Sequence, residues 1–573
     1  MEQFGFLSGR QIHEAIGVAQ EVMHSVRQKN KKGAVIKIDL SKAYDRINWL
    51  YLRLLLTHLG FKPAFISWIM GCISNVSYAI LINGAATPFF KGQRGLRQGC
   101  PLSPLLFLLV AKGLSQLIHK ARREGKVKGI EVATNLFISH LLFVDDILIF
   151  TNTEHIEIKE LKSILDLFMK ATGMQINHRK SQLIMTGLAV QERGRLHSVL
   201  PFQPSTLELP FKYLGFWLKP NDYKKEDWNW LIAKIESKIS HWSFKWLSRA
   251  GRLTLIKSVL LAIPVYWASL TWVPKVTMNK IRSLCSRFLW DGSKENSVLP
   301  WVGWDKVARP KDWGGWGIKN LPDFSLSLAA KSGWRLIKMD NLWTRVLKRK
   351  YIDPVPLEDW IRNPVKSKQH ASVIWKATVD SFKVIEQGLA WKIGNGRNLK
   401  IGKDPWIGCN ENYALSPGLI RHLEDKNILT LDQVEKVGHS SILCQAWKDG
   451  EELQLDQRWW NEWSSFTQEL ARSNVRIKVS PDSLIWAHGE TGDYFPKDGY
   501  KFIQSRKGWG EPEWWEKQIW KLKCPAKARL FLWCLLKKKI LSWDILKSRF
   551  MYGPGRCPLC KIEEESISHL FLQ

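Results

Sequence analysis

Apolar residues in the first 220 positions recur with spacings that alternate between helical and strand-like. Helical spacing over residues 8–29 predicts a helix with Ser8 as its N-cap. The apolar run at 34–38 predicts a strand that ends at Asp39. Further helices are predicted at 47–59, 105–120 and 157–172, and further strands at 78–82 and 211–217. The alternation indicates an α/β layered domain. The apolar face predicted for the second helix comprises Ile47, Leu50, Leu54, Leu55 and Leu59.

Two adjacent carboxylates interrupt a strongly apolar predicted hairpin. Asp145 and Asp146 lie between the apolar segments 141–144 and 147–150. Charges in such surroundings are costly unless something compensates them, and a divalent cation commonly does so. Together with Asp39 they make three acids from two strand ends, a set that suits two Mg²⁺ ions and an in-line phosphoryl displacement. The alternative for the adjacent pair is an ordinary solvated turn.

The charge balance separates this chain from an average globular protein. Its 573 residues contain 85 Lys and Arg against 53 Asp and Glu, which gives a net charge of +32. Such a surface attracts polyanions, of which nucleic acid is the first candidate, although a merely solvated basic surface is the alternative. The 31 Trp residues either pack in cores or stack on bases. The length predicts three to five domains.

Cysteine usage and terminal sequence bear on the compartment. Nine scattered cysteines argue against a secreted disulfide framework, and the first residues lack the pattern of a signal peptide. The uncharged run at 258–274 contains Pro264 and is shorter than a bilayer requires. We therefore expect an intracellular protein without a membrane partner.

Five short motifs follow one another in a fixed order. They are residues 39–45 (Asp-Leu-Ser-Lys-Ala-Tyr-Asp), 97–104 (Arg-Gln-Gly-Cys-Pro-Leu-Ser-Pro), 143–146 (Phe-Val-Asp-Asp), 173–181 and 213–215 (Tyr-Leu-Gly). Together they resemble motifs A to E of the reverse transcriptase palm. The form of the second motif resembles that of the non-LTR (LINE-type) retrotransposon branch. Three further segments also resemble this branch, namely residues 3–10, 247–258 and 314–318.

The resemblance implies a four-part organisation. Residues 1–218 would form an α/β polymerase palm of reverse transcriptase type with partial fingers, and residues 219–345 a mainly helical, basic thumb or connection. Residues 346–490 would be a Trp-rich connector, and residues 491–573 an incomplete zinc-binding module. Since family members carry finger residues and commonly an endonuclease domain further upstream, we expect this sequence to be truncated at both ends.

The resemblance also implies an activity, namely RNA-directed DNA synthesis. Asp39, Asp145 and Asp146 would bind two Mg²⁺ ions, and the partners would be an RNA template, a DNA primer or target, and dNTPs. Action in the nucleus is expected. Two other functions stay open: an inactive remnant that only binds nucleic acid, and a metal-dependent nuclease.

Further site residues follow by position within the motifs. Tyr44 would pack under the incoming sugar and exclude a 2′-hydroxyl, and Gln98 and Gly99 would touch the nucleotide. Lys180 would donate a proton to pyrophosphate. The alternatives are a core aromatic, a plain strand-to-helix turn and a surface charge. Asp45 is interpreted as the cap of the helix that begins near residue 48.

Residues outside the nucleotide site are implied to hold the nucleic acid. Tyr213, Leu214 and Gly215 resemble the primer grip, with simple packing as the alternative. Three basic residues are candidates for contacts with duplex phosphates, with generic surface charge as the alternative, namely Arg249, Arg252 and Lys257.

A cysteine and histidine pattern near the end suggests a zinc site. Cys557, Cys560 and His569 supply three ligands, whereas a structural zinc site uses four. We therefore expect weak zinc binding unless another group completes the shell. Cys524 and Cys534 are interpreted as packed, and the Gly-x-Gly at 394–396 as a hairpin turn.

Overall fold

The computed structural model describes residues 2–242, 247–290, 300–364, 371–409, 413–436 and 446–572. The chain divides into two compact units, Met1–Tyr223 with Met339–Lys376, and Lys224–Lys338 with Ala377–Gln573. The first unit thus includes a segment that the sequence partition assigns partly to the thumb and partly to the connector. The predicted four-part boundaries stay a prediction.

Helices occur along the whole described chain. In chain order they are Ile12–Gln28 (α1), Ala43–Arg46 (α2), Trp49–His58 (α3), Pro63–Ser74 (α4), Leu102–Arg123 (α5), His155–Thr172 (α6), Val190–Val199 (α7), Asn229–Ser240 (α8), Arg249–Leu255 (α9), Val265–Ala268 (α10), Lys275–Trp290 (α11), Trp304–Val307 (α12), Leu321–Lys338 (α13), Leu342–Leu347 (α14), Leu357–Arg362 (α15), Val373–Ile385 (α16), Pro417–Asp425 (α17), Trp460–Arg472 (α18), Pro496–Ser505 (α19), Trp514–Ile519 (α20), Ala526–Leu536 (α21), Trp543–Lys547 (α22) and Ile567–Leu572 (α23).

Strands are concentrated in the first unit. They are Gly33–Ile38 (β1), Ser77–Tyr78 (β2), Leu81–Ile82 (β3), Ala85–Ala86 (β4), Phe90–Lys91 (β5), Ile130–Ala133 (β6), Leu136–Ile138 (β7), His140–Phe143 (β8), Asp146–Thr151 (β9), Gln182–Thr186 (β10), Gln203–Thr206 (β11), Phe211–Tyr213 (β12), Phe216–Leu218 (β13), Leu389–Lys392 (β14) and Ser483–Trp486 (β15).

The main sheet of the first unit has the strand order β11-β10-β1-β9-β8. Strands β10 and β11 are parallel, and the other neighbours are antiparallel. Because side chains alternate across a strand, Ala34, Ile36 and Ile38 share one face of β1, where they enter a core that also contains residues of α5 and α6. Strand β1 lies between two strands and is buried along most of its length, which explains its nearly continuous apolar sequence.

Helix α5 is, within the described residues, the one helix long and apolar enough to cross a membrane by length and composition. Leu106, Phe107, Val110 and Leu114 of this helix belong to the core of the first unit.

Three sequence predictions about helices need correction. Helix α1 begins at Ile12 with Gln11 as its N-cap, because residues 7–10 form a turn in which the Arg10 N–H donates to the Leu7 carbonyl. Asp45 is not the N-cap of α3. That N-cap is Asn48, whose side-chain oxygen accepts hydrogen bonds from the N–H groups of Leu50 and Tyr51.

The third correction concerns the buried face of α3. Leu50 and Leu54 are exposed, whereas Leu52 and Leu56 are buried. Both faces of this helix are apolar in sequence, so its periodicity could not select the face that meets the core.

The second unit has aromatic cores. Trp391, Trp406, Trp447 and Trp463 share one cluster of buried apolar residues, which agrees with the packing interpretation of tryptophan. The predicted hairpin turn at the Gly-x-Gly is wrong, because β14 pairs with the distant β15. The N–H groups of Gly394, Gly396 and Asn398 instead donate to the Asp482 carboxylate.

Candidate active site

Two neighbouring strands and one hairpin carry the three acids predicted to bind metal. Ile38 at the end of β1 pairs with Ile147 of β9, so extending that register by one residue sets Asp39 beside Asp146. Directly opposed residues of antiparallel strands have Cα atoms about 4.5–5.5 Å apart. Phe143 pairs with Asp146 across the β8–β9 hairpin, which leaves Val144 and Asp145 as a two-residue loop. The fold therefore brings the three acids to one edge of the sheet.

The loop that carries Asp145 has a strained first residue. Val144 is buried and has φ +59°. A positive φ at a β-branched residue is an outlier that costs on the order of 1–3 kcal/mol. Hairpins with two-residue loops usually place glycine at such a position. The surrounding structure must therefore hold this turn in place.

Charge accumulates at this edge of the sheet. Burial, together with the nearby charges of Asp145 and Asp39, raises the pKa of Asp146 to about 6, whereas the Lys37 charge opposes the shift. Like charges held together in a partly buried site favour a bound cation, and carboxylate oxygens are the ligands that hard divalent cations prefer. The residues present therefore fit a divalent metal site.

The spacing of the acids also bears on that site. Two clusters of described residues have ligand atoms all within 4.8 Å of one another, Glu2 with His119 and His140, and the terminal cysteine and histidine trio. The three aspartates are not among them. Their carboxylates therefore do not form so compact a set.

Residues of the segment 173–181 form two hydrogen bonds with the backbone of Asp39. The Asp39 N–H donates to the Ser181 hydroxyl at 3.1 Å, and the Asn177 N–H donates to the Asp39 carbonyl at 2.8 Å. Ser181 is fully buried, and sequence reasoning missed it because a serine after two cations resembles an ordinary turn residue. Lys180 lies beside it with an exposed side chain, and its proton-donor role stays a prediction.

Tyr44 lies against the wall of the site. Its ring stacks on Phe107 of α5, with centroids 4.6 Å apart and planes 9° from parallel. Burial raises the pKa of Tyr44, and the Asp145 charge adds to the shift, which places the phenol within electrostatic reach of that acid. Phe107 is a second residue that the sequence analysis missed, because it resembles any other apolar residue of a core helix.

The loop with Gln98 and Gly99 is joined to the segment that contains Tyr44. The Leu96 N–H donates to the Tyr44 carbonyl at 2.7 Å, and Gly95 has φ +86° and approaches the Asp45 backbone so closely that a Cβ would lie 2.5 Å from its oxygen. Gln98 and Gly99 are exposed, and Gly99 also has a positive φ, with open space where a Cβ would be. Such a loop is accessible to a ligand.

The predicted primer grip, Tyr213, Leu214 and Gly215, lies at the tip of the β12–β13 hairpin. Tyr213 pairs with Phe216, and the two loop residues Leu214 and Gly215 have φ of +49° and +80°. Two positive φ values are typical of a type I′ loop. Tyr213 is buried, so this end of the motif contributes packing, and contact with a primer stays a prediction.

The three basic residues predicted to contact duplex phosphates are engaged within the second unit. The Arg249 guanidinium lies 3.5 Å from the centroid of the Trp301 ring, and Arg252 is buried. The Lys257 ammonium donates to the Trp316 carbonyl, and burial lowers its pKa to about 8. These contacts favour packing for all three, and their phosphate contacts stay a prediction.

The C-terminal trio converges as the sequence predicts. Cys557, Cys560 and His569 have ligand atoms within 4.8 Å of one another, and the Cys560 sulfur lies 3.2 Å from Nε2 of His569. The Glu563 and Ile562 N–H groups donate to that sulfur, and hydrogen bonding lowers the Cys560 pKa to about 7. Thiolate and imidazole ligands suit zinc, and the described residues offer three of them in this cluster.

Comparisons with known proteins agree with this geometry. The family described as reverse transcriptase (RNA-dependent DNA polymerase) matches residues 1–218, and the family described as zinc-binding in reverse transcriptase matches residues 494–573. A putative ribonuclease H protein of Arabidopsis thaliana is 25% identical over 60% of this chain and 54% of its own length. A retrovirus-related Pol polyprotein from a type-1 retrotransposable element R2 of Popillia japonica is 26% identical over 36% of this chain and 30% of its own length.

A solved telomerase structure from Candida tropicalis has 14% identity and a TM-score of 0.30 over 61% of this chain and 53% of that chain, too low to carry an argument. The chain spans about half the length of the Arabidopsis relative and less of the Pol polyprotein.

The palm of residues 1–218 is therefore a reverse transcriptase domain, in a mixed α/β fold. With a C-terminal module of the kind described as zinc-binding in reverse transcriptase, and with similarity to Pol polyproteins of R2 retrotransposable elements, the chain resembles the reverse transcriptases of the non-LTR retrotransposon type. The resemblance inferred from the five motifs is confirmed.

Proposed function

We propose that this chain is an RNA-directed DNA polymerase that extends a DNA primer on an RNA template with dNTPs and two Mg²⁺ ions. The observation that carries the proposal is the β1–β9 register, which sets Asp39 beside Asp146 at the edge where the loop residue Asp145 also lies. Like charges that meet at one edge of a sheet repel one another, and a bound cation offsets that repulsion.

The residues around this edge have distinct tasks in the proposal. Asp39, Asp145 and Asp146 hold the metal ions, which when bound supply charge stabilisation for phosphoryl transfer and a more acidic primer 3′-hydroxyl. Tyr44, held flat against Phe107, limits the space for a sugar 2′-hydroxyl. Gln98 and Gly99, in an exposed loop, contact the incoming nucleotide.

Primer extension on an RNA template tests the proposal. The full chain with Mg²⁺ is expected to add dNTPs, and Asp145→Asn is expected to lower the extension rate by at least about a thousandfold, since it removes a metal ligand. Asp166→Asn is the matched control, because Asp166 is an exposed residue of α6 paired with Lys162. Its extension rate should stay within about twofold of the parent.

The same assay separates the alternatives. Absence of extension by the parent chain would contradict the proposal and favour a remnant that only binds nucleic acid. Loss of the labelled template without synthesis would favour a metal-dependent nuclease.

The zinc module and the compartment are part of the proposal. Cys557, Cys560 and His569 would hold a zinc ion that orders the C-terminal module.

Nuclear action is proposed because the template and target are nucleic acids and the chain is strongly basic. Imaging of a tagged chain tests this, and exclusion from the nucleus would contradict it.

A further inference from the structure

The strained loop of the β8–β9 hairpin is held by a side chain from outside the five motifs. Oε1 of Gln3 accepts the Val144 N–H at 3.2 Å and the Gly5 N–H at 2.9 Å. A single amide oxygen thus ties the residue before Asp145 to the N-terminal segment.

The N-terminal segment is itself fixed to strand β8. The Phe4 N–H donates to the Leu142 carbonyl, and the Leu142 N–H donates to the Glu2 carbonyl, each at 2.9 Å. These bonds form a parallel bridge between Gln3 and Leu142 on the free side of β8. The position of Gln3 is therefore determined by the strand that leads to the catalytic acids.

Close packing supports the same contact. A Cβ on Gly5 would lie 2.5 Å from Cγ2 of Val144, so glycine is required for the segment to lie against that side chain. Nε2 of Gln3 is buried and has no hydrogen-bond partner among the described residues. An unpaired buried donor beside a reaction site is a candidate partner for a group that arrives with the substrate.

We propose that Gln3 is a positioning residue for the catalytic hairpin: its amide oxygen holds Val144 in the left-handed conformation that sets Asp145 and Asp146 against Asp39. The inference rests on the proposed polymerase function for its kinetic consequence. Its structural consequence, protection of the Val144 amide, does not depend on that function.

Two substitutions of Gln3 separate shape from hydrogen bonding. Gln3→Met keeps the length of the side chain and removes the acceptor, whereas Gln3→Glu keeps acceptor oxygens. Gln28→Met is the control, since Gln28 is exposed at the end of α1. We expect Gln3→Met to lower kcat for dNTP addition at least tenfold with KM changed less than threefold, and Gln3→Glu to keep the protection of the Val144 amide.

A second substitution tests whether backbone strain at Val144 is the reason that the hairpin needs Gln3. Glycine adopts a positive φ without the penalty that valine pays, so Val144→Gly should reduce the need for Gln3. We expect Gln3→Met with Val144→Gly to recover kcat at least threefold over Gln3→Met alone. If the two substitutions lower kcat independently, so that their fold losses multiply in the double variant, the proposal is overturned.

Hydrogen exchange supplies a readout that needs no activity. In the parent chain the Val144 amide should exchange at least tenfold more slowly than in Gln3→Met, measured on a peptide that spans residues 140–150. Equal exchange rates would overturn the role of Gln3 even if the chain polymerises. Slower exchange in a parent that extends no primer would sustain the hairpin contact and contradict the polymerase function alone.

Discussion

At the scale of single residues, Asp146 shows how the fold concentrates negative charge at the proposed metal site. Its carboxylate is partly buried and next to two other acids, which raises its pKa to about 6. The raised pKa means that the metal-free folded chain holds a proton more tightly than the unfolded chain does. This contribution to stability is present below the ordinary carboxyl pKa and is lost as the pH rises through about 6.

Asp146→Asn should therefore stabilise the metal-free chain at pH 8 and not at pH 4. At pH 8 the substitution removes a charge repelled by Asp145 and Asp39, and a rise in the melting midpoint on the order of 1–3 °C is expected. Thermal unfolding in the presence of a chelator measures it. Asp166→Asn, which changes an exposed acid, should show no such rise, and an equal rise in both variants would count against the charge argument.

At the scale of elements, a buried polar network joins helix α1 to the second segment of the first unit. The Glu21 carboxylate is fully buried and accepts hydrogen bonds from Lys350, Tyr351 and Ser372. Burial by itself would raise the Glu21 pKa, but the Lys350 charge and these bonds hold it below its ordinary value. The network explains why residues 339–376 belong to the same compact unit as the palm.

Replacing Glu21 should destabilise the first unit strongly. Glu21→Gln leaves the nearly buried Lys350 ammonium without its counter-charge, at a cost of about 3–5 kcal/mol. Urea denaturation should show a lower midpoint. The control is Glu131→Gln, since Glu131 pairs with Lys31 at a partly exposed site and should cost at most about 1 kcal/mol. Similar midpoints for the two variants would contradict a stabilising role for the network.

The terminal zinc module gives a second prediction at this scale. Since a thiolate is the ligand and the Cys560 pKa lies near 7, protons should compete with zinc as the pH falls below that value. We expect the zinc affinity of the full chain to fall at least tenfold between pH 8 and pH 6, and Cys560→Ser to abolish binding, both measured with a chromophoric chelator. Cys524→Ser, outside the trio, should keep the parent affinity; a loss equal to that of Cys560→Ser would place the zinc elsewhere.

At the scale of the whole molecule, the net charge of +32 predicts electrostatic binding of nucleic acid. Release of counterions makes such affinity fall steeply with salt. The dissociation constant of the Asp145→Asn chain for a labelled single-stranded RNA, measured by fluorescence anisotropy, should rise at least about tenfold between 50 and 200 mM salt. An affinity independent of salt would show that the basic surface does not hold the strand.

The sequence predicted the elements of the palm well where a single pattern dominated. Strand β1, the hairpin with its two acids, and helix α6 are where the apolar periods placed them. The buried face of α3 was wrong because both of its faces are apolar. Arg252 and Lys257 resemble surface cations in sequence, and only the structure shows that Arg252 is buried and that Lys257 donates to the Trp316 carbonyl.

The sequence by itself determined the resemblance to reverse transcriptases and predicted the three candidate metal-binding acids and the terminal cysteine and histidine trio, because each depends on residue types at short, fixed spacings. Only the tertiary structure decided which distant side chains support them: Ser181 behind Asp39, Phe107 behind Tyr44, and Gln3 beneath Val144. The physical reason is that such support depends on hydrogen bonds and ring contacts between segments far apart in the chain. No local period or spacing encodes them.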